Sequence, residues 1–273
     1  MLKQRILTAL VLIPIVIACL FFLPPLGFAV FVGIIIIVAA WEWANLANIP
    51  PMGRYVYAAF IALLLLGSYF FSGLFSSLYV LVAGALWWIV AFFLMLKYPA
   101  ATEYWSGKWG VGLIGLFVLV PGFVSLLVLK NSANPNFLIL LLFFLIWGAD
   151  VGAYFTGKAF GRRKLAPSVS PGKSWEGFYG GLVIAFGIGV GMLFWLGKLD
   201  LTASRGWIFL AGLVLVIMVS VLGDLVMSMF KRSRGIKDSS NLLPGHGGFL
   251  DRIDSLLSAG PVFALMILVF GWS

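Results

Sequence analysis

Residues 206–230 are GWIFLAGLVLVIMVSVLGDLVMSMF, an apolar run in which Asp224 is the only charged residue. A helix needs about 20 mainly apolar residues to cross a bilayer, so this run is long enough to span one. Similar runs recur along the chain, which is 63% hydrophobic and 10% charged, whereas soluble domains carry about 25% charged residues. The sequence therefore predicts an all-α, polytopic integral membrane protein and excludes soluble folds. The runs are continuous and do not alternate with polar residues, which argues against a β-barrel.

About nine transmembrane helices are predicted, and no soluble domain fits between them. The chain (1–273) is accordingly read as one transmembrane domain, with its catalytic portion in 136–273 and N-terminal helices of unknown role in 1–135. An uncleaved first helix is preferred over a cleaved signal peptide, because the first apolar run continues past Cys19 and further runs follow. The predicted spans are 6–23, 28–46, 55–73, 78–96, 109–129, 136–157, 177–197, 206–230 and 255–272.

The placement of Lys and Arg predicts the orientation of the chain in the membrane. With the N-terminus inside, 15 of the 18 basic residues lie in inside segments and 3 in outside segments, as the positive-inside rule favours. The two long polar connections, 158–176 and 231–254, supply ten of the 15, and without them the count is 5 against 3. Both connections fall on the same face, which we expect to be cytoplasmic.

Acidic residues inside the apolar runs are the first candidates for chemistry. Asp150 and Asp224 each lie one to two turns from the predicted cytoplasmic end of a span. A carboxylate in the bilayer interior costs about 3 kcal/mol and usually faces a cavity or a partner. A buried ion pair that joins two helices is the alternative. Asp224, Ser228 and Lys231 follow each other at steps of four and three, so they share one helix face.

Oxygen-bearing side chains near these acids indicate a hard cation. Asp251 and Asp254 are three residues apart and share a face if the last helix begins early. Carboxylates with a hydroxyl suit Mg²⁺, which prefers oxygen ligands. The chain has one His and one Cys, so a zinc or iron site is excluded.

Basic residues collect in the same two connections. Some of them are interpreted as phosphate ligands. The combination of acids, cations and glycine-rich loops at one membrane face indicates phosphoryl or nucleotidyl transfer. Arg163, Lys164 and Arg234 are interpreted as interfacial anchors only. The remaining candidates are Lys158, Arg162, Lys173, Lys231, Arg232, Lys237 and Arg252.

Ser174 is predicted to cap the seventh span, and Glu176 suits the start of that helix. The positive charge of Lys173 is unfavourable at a helix N-terminus unless an anion lies there. His246 is a candidate for catalysis, with a structural role or simple hydrogen-bond donation as the alternative, and the glycines after it allow close approach to a phosphate.

Glycines four residues apart recur in the later spans, which favours close helix packing. At Gly157 and Gly161 a phosphate cradle is the alternative interpretation, since Lys158 and Arg162 are adjacent. The pairs are Gly148 and Gly152, Gly157 and Gly161, Gly177 and Gly181, and Gly187 and Gly191.

The run from Ser228 to Asp254 resembles the phosphatidate cytidylyltransferase (CDP-diacylglycerol synthase) family, bacterial type. It carries S-x-F-K-R, four residues, K-D, and then L-P-x-H-G-G-x-x-D-R-x-D. Residues 147–154 and 170–177 also resemble the bacterial members. The resemblance implies a magnesium-dependent nucleotidyltransferase of phospholipid biosynthesis. A phosphate oxygen of phosphatidic acid attacks the α-phosphorus of CTP and gives CDP-diacylglycerol and pyrophosphate.

The resemblance also implies site roles. The metal ligands are expected to be Asp224 and Asp251, with Ser228 and Asp254 close by. The resemblance also places Lys231, Arg232, Lys237 and Lys173 near phosphates. Together with the candidates identified above from the residues themselves, the expected catalytic set comprises Asp224, Asp251, Lys231, Arg232, Lys237 and His246. The substrate-binding set comprises Lys173, Ser174, Asp150, Lys158, Arg252, Gly247 and Gly248.

The expected partners are CTP, phosphatidic acid and membrane lipids, and no nucleic acid. The expected location is the bacterial inner membrane, with the N-terminus and active site facing the cytoplasm. A second cation and a homodimer are left open. The alternative functions are a nucleotide-dependent lipid kinase and a transporter with Asp150 and Asp224 as an ion relay. The gathering of charge at one face argues against the transporter.

Overall fold

The structure is a computed structural model that describes residues 14–70, 77–197, 202 and 204–271. Within these ranges, eight helices are long and apolar enough to cross a membrane. The prediction of a polytopic, all-α membrane protein is confirmed. These helices are α1 (Pro25–Leu46), α2 (Pro51–Phe70), α3 (Ser77–Leu96), α5 (Lys108–Lys130), α6 (Pro135–Phe160), α7 (Trp175–Trp195), α8 (Ser204–Arg234) and α9 (Leu250–Phe270), and the short helix α4 is Thr102–Trp105.

The first predicted span, 6–23, is only partly described. Residues 14–22 are helical, and residues 6–13 lie outside the described residues. Residues 71–73 and 272, at the ends of two other predicted spans, also lie outside them. The other eight predicted spans correspond to the eight long helices, with ends that differ by a few residues.

Helices α5 and α9 form the centre of the bundle, and most of their residues are buried. Helix α9 packs against α8 and α5, while α1 packs against α2 and α5. Helices α2, α3 and α7 expose most of their side chains at the periphery, where apolar residues suit lipid.

Helices α6 and α7 pack closely because glycines line their contact. A Cβ atom added at Gly181 would lie 2.5 Å from the carbonyl oxygen of Ala149, and one at Gly152 would lie 3.0 Å from the Cα of Gly181. The packing interpretation is confirmed here, but it is wrong for Gly187 and Gly191, where an added Cβ would meet nothing within 4 Å.

Gly157 also packs against α7, since an added Cβ would lie 3.3 Å from the Ser174 hydroxyl and 3.5 Å from the Cα of Gly177. Helix packing therefore accounts for this position. A phosphate cradle at Gly157 and Gly161 stays a prediction.

The polar connection between α6 and α7 contains a small antiparallel hairpin of strands β1 (Lys164–Ala166) and β2 (Ser170–Ser174). The second polar connection is shorter than predicted, because α8 continues to Arg234 and α9 begins at Leu250. Helix α6 also continues past its predicted end, to Phe160. Asp150 and Asp224 therefore each lie ten residues before the end of their helix, or about 15 Å at 1.5 Å per residue. The predicted distance of each acid from the end of its helix, one to two turns, was therefore too short.

Aromatic packing holds this end of α8 in place. The ring of Phe230 lies between Trp43 on α1 and Trp105 on α4, at centroid distances of 5.3 and 4.9 Å. Phe230 is buried, whereas the neighbouring Ser228 and Lys231 are turned toward polar partners. Phe230 is therefore the packing residue within the S-x-F-K-R sequence.

Candidate active site

One face of α8 presents three polar side chains in a row, as the helical spacing predicts. The Ser228 hydroxyl donates to Oδ1 of Asp224 at 3.4 Å, and Lys231 follows one turn later on the same helix. Because α8 is continuous through all three residues, the predicted shared face is confirmed.

Lys173 extends from β2 to Asp224, and its Nζ lies 2.6 Å from Oδ2 of that carboxylate. About 27% of the Lys173 side chain and 31% of the Asp224 side chain are exposed, so the pair is accessible to a ligand. The contact also identifies the anion that Lys173 requires beside the start of α7. Ser174 caps α7 as predicted, since its Oγ accepts a hydrogen bond from the Gly177 amide at 3.1 Å.

A second lysine–carboxylate pair lies nearby and is more enclosed. Lys231 Nζ donates to Oδ1 of Asp251 at 2.7 Å, and these side chains are only 12% and 5% exposed. The other carboxylate oxygen, Oδ2, accepts from the Ser239 amide at 2.8 Å, the Gly248 amide at 3.0 Å and the Ser239 hydroxyl at 3.0 Å. Asp251 therefore anchors the loop between α8 and α9 while it holds Lys231.

Each of the two glycines after His246 lies against a carboxylate that leaves no room for a side chain. Gly247 has φ of +81°, and an added Cβ would lie 2.9 Å from Oδ2 of Asp251. At Gly248 an added Cβ would lie 2.6 Å from Oε1 of Glu42. Since the Gly248 amide donates to Asp251, close carboxylate approach accounts for these glycines, and their contact with substrate phosphate stays a prediction.

Asp150 and Asp254 are two further acids at this end of the bundle. Both lie close enough to Asp224 to interact with it electrostatically. Asp254 is buried in the first turns of α9, and its Oδ1 accepts from the Ser255 amide at 2.8 Å. Because α9 begins at Leu250, Asp251 and Asp254 lie on one helix at a spacing of three.

A cavity of about 370 Å³ opens between α6, α7 and the hairpin. Its volume lies within the range of small-molecule sites. Glycines of both helices line it, together with polar side chains of α6 and the hairpin. It adjoins the Lys173–Asp224 pair because Lys173 is one of the lining residues. The polar lining residues are Asp150, Tyr154, Lys158, Lys173 and Ser174.

The remaining predicted cations differ in their surroundings. Lys158, Lys237 and Arg252 are exposed, and Nζ of Lys158 lies 6.0 Å from the ring centroid of Tyr154. Arg232 is engaged with the backbone, donating to the carbonyl oxygens of Val169 at 3.4 Å and Ile236 at 3.3 Å. It thereby joins the end of α8 to the hairpin loop.

His246 is half-buried, and its Nδ1 has no hydrogen-bond partner among the described residues.

The residues that were interpreted as interfacial anchors differ in their contacts. Arg163 is exposed and lies 3.8 Å from Glu176, whose carboxylate also accepts from the Arg162 and Arg163 amides. Arg234 instead donates to the carbonyl oxygen of Asn45 at 3.1 Å and so joins the end of α8 to α1, while its role as an interfacial anchor stays a prediction.

Sequence reasoning missed Glu42, the acid that contacts the same loop from α1. Glu42 is fully buried and lies inside a predicted span, 28–46. The signal was the one that identified Asp150 and Asp224, an isolated acid in an apolar run. It was overlooked because the N-terminal helices were given no role.

The donor set fits a hard cation in its chemistry. Asp224 and Ser228 offer oxygen atoms on one helix face, with the carboxylates of Asp251 and Asp254 on the next helix. Among the described residues, no three His, Cys, Asp or Glu side chains converge into a metal site by themselves. Mg²⁺ is commonly held by one or two carboxylates while water and substrate phosphates supply the other ligands, and its binding here stays a prediction.

The fold and this site define an integral membrane protein with paired lysines and carboxylates at one end of its helical bundle. The chain belongs to the cytidylyltransferase family, whose pattern it matches over residues 3–270. It is 49% identical to a phosphatidate cytidylyltransferase of Pseudomonas aeruginosa, over 100% of this chain and 99% of that protein. It is 40% identical to the phosphatidate cytidylyltransferase of Haemophilus influenzae, over 97% of this chain and 98% of that one.

Proposed function

We propose that this protein transfers the cytidylyl group of CTP to phosphatidic acid and forms CDP-diacylglycerol and pyrophosphate. The family match and the two full-length relatives support this assignment. The observation that carries it is the proximity of two lysine–carboxylate pairs, Lys173–Asp224 and Lys231–Asp251. Both lysines act electrostatically on Asp224, and Lys173 also lines the cavity. Cations paired with carboxylates are the groups that a transfer between two phosphate compounds requires.

The location of the site suits substrates of opposite solubility. The cavity is lined by two membrane-spanning helices, so a lipid with its acyl chains in the bilayer can bring its phosphate there. The hairpin and the loop between α8 and α9 provide the polar side, where a soluble nucleotide can enter.

The chemistry requires cations more than a base. An oxygen of the lipid phosphate attacks the α-phosphorus of CTP, the bond from that phosphorus to the bridging β-phosphate oxygen breaks, and pyrophosphate leaves with the electron pair. Because the nucleophile is already an anion, little proton abstraction is needed. We assign Lys173 and Lys231 to the phosphates, with Arg232, Lys237 and Arg252 around them and Lys158 in the cavity.

We propose Mg²⁺ as the cofactor. Asp224 and Ser228 would hold it first, because Asp251 already uses Oδ2 for three protein donors. Asp251 and Asp254 would lie close by. When bound, the ion neutralises charge on the transferred phosphorus and its leaving group. A second cation would use the same acids, and this point stays open, as does a homodimer.

We further propose the bacterial inner membrane as the location, with the site facing the cytoplasm. Both relatives are bacterial, and CTP is a cytosolic nucleotide. The basic hairpin and loop fit the positive-inside rule.

The proposed activity is tested with purified protein in detergent, given CTP, phosphatidic acid and Mg²⁺. CDP-diacylglycerol and pyrophosphate are the expected products. A lipid kinase would instead release a nucleoside diphosphate, and the absence of any CDP-lipid at varied metal and lipid would overturn the assignment.

A further inference from the structure

Glu42 is a fully buried acid near the end of α1. A carboxylate at such a position is costly unless it is well paired. Among the described residues no cation forms an ion pair with Glu42, and hydrogen-bond donors surround it instead. Oε2 accepts from the Leu250 amide at 2.6 Å and lies 3.1 Å from the Ser239 hydroxyl, whose single proton it shares with Asp251.

The other oxygen of Glu42, Oε1, completes the arrangement. It accepts from the Phe249 amide at 3.0 Å and from the Ser240 hydroxyl at 2.5 Å. Phe249 is the N-cap residue of α9 and Leu250 is its first residue, and amides at a helix N-terminus have no intrahelical partners. Phe249 has no capping side chain of its own, so Glu42 caps α9 from a different helix.

The capped turn is the one that carries Asp251. The Ser239 hydroxyl lies within hydrogen-bond distance of both carboxylates, 3.1 Å from Glu42 Oε2 and 3.0 Å from Asp251 Oδ2. Glu42 therefore contacts a donor of Asp251 and the helix start on which Asp251 lies. A shift of Glu42 would therefore move Asp251, whose Oδ1 accepts a hydrogen bond from Lys231 Nζ at 2.7 Å.

Two further contacts join the same end of α1 to the loop. The Asn45 amide group donates to the Ser239 carbonyl at 3.1 Å, and Arg234 donates to the Asn45 carbonyl at 3.1 Å. The close approach of Glu42 also depends on Gly248, where any Cβ would enter the carboxylate. Helix α1 is thus built against the loop at several points.

We propose that Glu42 is a positioning residue for the reaction: from helix α1 it fixes the 239–250 loop and the start of α9, and thereby the Asp251–Lys231 pair. This proposal rests on the proposed function for its kinetic consequences only. It also gives the N-terminal part of the chain a role, which is to hold the loop between α8 and α9 in position. Glu42 itself contacts protein donors and is not assigned to substrate.

The first test compares Glu42→Gln with wild type in the full-length protein. The amide keeps the size but turns an NH₂ toward the Phe249 or the Leu250 amide, which also donates, so at least one of the two backbone hydrogen bonds to the start of α9 is lost. We expect kcat to fall tenfold or more while KM for CTP changes less than threefold. Hydrogen exchange should rise in peptides covering 239–250 and stay unchanged in α6 and α7. Glu103→Gln, the same change at an exposed acid on α4, should leave both readouts at wild-type values.

A loop protected as in wild type, or a kcat per folded molecule within twofold of wild type, would overturn the proposal. Exchange that rises equally in all helices would also contradict it, because Glu42 would then be a general stability residue. If the wild-type protein forms no CDP-lipid, the proposed function fails, and the exchange measurement alone still decides whether Glu42 fixes the loop.

Ser240→Ala keeps the proposal testable if Glu42→Gln does not fold. It removes one donor to Glu42, together with the hydroxyl that accepts from the Leu242 amide at 3.1 Å, and it leaves no buried charge unpaired. We expect a threefold or larger fall in kcat with faster exchange in 239–250, and no change in either would count against the proposal. If Glu42→Gln folds, Glu42→Gln with Ser240→Ala should lose little more than Glu42→Gln alone, since residues in one network are not additive.

Discussion

Lys173 Nζ lies 2.6 Å from Oδ2 of Asp224, which joins the hairpin between α6 and α7 to the middle of α8. The lysine lies beside the N-terminus of α7, where its charge is unfavourable without an anion. Asp224 supplies that anion from within an apolar helix. Each residue offsets the electrostatic cost of the other, both side chains are partly exposed, and Lys173 lines the cavity. The pair is therefore positioned to exchange its partners for a metal ion and a phosphate.

Asp224→Asn should abolish turnover while the protein still folds and inserts. The amide keeps the shape but removes the charge that would hold both Lys173 and a metal ion, and we expect a loss of at least a hundredfold. CDP-diacylglycerol formation, measured beside the elution profile and melting temperature in detergent, checks this. Glu103→Gln is the matched control. Activity near that of wild type would remove Asp224 from the metal site.

Asp251→Asn should lose stability as well as activity. It leaves Lys231, only 12% exposed, without its carboxylate, and breaking a buried ion pair costs about 3–5 kcal/mol. It also weakens the three hydrogen bonds that hold the loop. The Asp224 pair is more exposed, so its loss costs less because solvent screens the charges. We expect the melting temperature of Asp251→Asn to lie below that of Asp224→Asn, and the opposite order would contradict this account.

Removal of metal should stop the reaction reversibly. Excess chelator is expected to abolish CDP-lipid formation, and Mg²⁺ should restore it, because hard oxygen ligands select this ion. Binding of Mn²⁺, followed by electron paramagnetic resonance in the presence of CTP, gives a readout that does not depend on turnover. Asp224→Asn should lose this binding, whereas Glu103→Gln should keep it. Full activity in chelator would exclude the metal.

The orientation of the site can be measured at the hairpin. Arg163 has a side chain that is 78% exposed, and the chain has a single cysteine, Cys19. In an Arg163→Cys variant on a Cys19→Ser background, a membrane-impermeant maleimide should label inside-out vesicles and leave intact cells unlabelled. Labelling in intact cells would place the hairpin outside and reverse the predicted topology.

The membrane helices could be predicted because each apolar run exceeds the bilayer thickness, a property that no tertiary contact changes. Their ends could not. Residues 231–234, three of which are basic, continue α8, since Lys231 and Arg234 find partners on α9 and α1. The β1–β2 hairpin was missed because its strands are only three and five residues long and contain no alternating pattern.

In the site, Asp224, Ser228 and Lys231 could be placed together because helical spacing alone defines their shared face. The pairing of Lys173 with Asp224 could not, since it depends on how α6, α7 and α8 pack in three dimensions. The contacts of Glu42 likewise depend on three-dimensional packing and could not be predicted from the sequence. Its donors Ser239 and Leu250 lie about 200 residues away in sequence, and no local pattern links them.

A matched pair of glycines on α7 tests the packing that shapes the cavity. A Cβ at Gly181 would press on the Ala149 carbonyl, whereas one at Gly187 meets nothing within 4 Å. Gly181→Leu should therefore destabilise the fold by at least the 1–3 kcal/mol typical of an overpacked site, and it should lower activity because Gly181 also lines the cavity. Gly187→Leu makes the same change in helix propensity without the clash and should be nearly neutral. Melting temperatures and CDP-lipid formation in identical detergent compare the two. Equal effects would show that backbone preference, and not the contact with α6, determines stability at these positions.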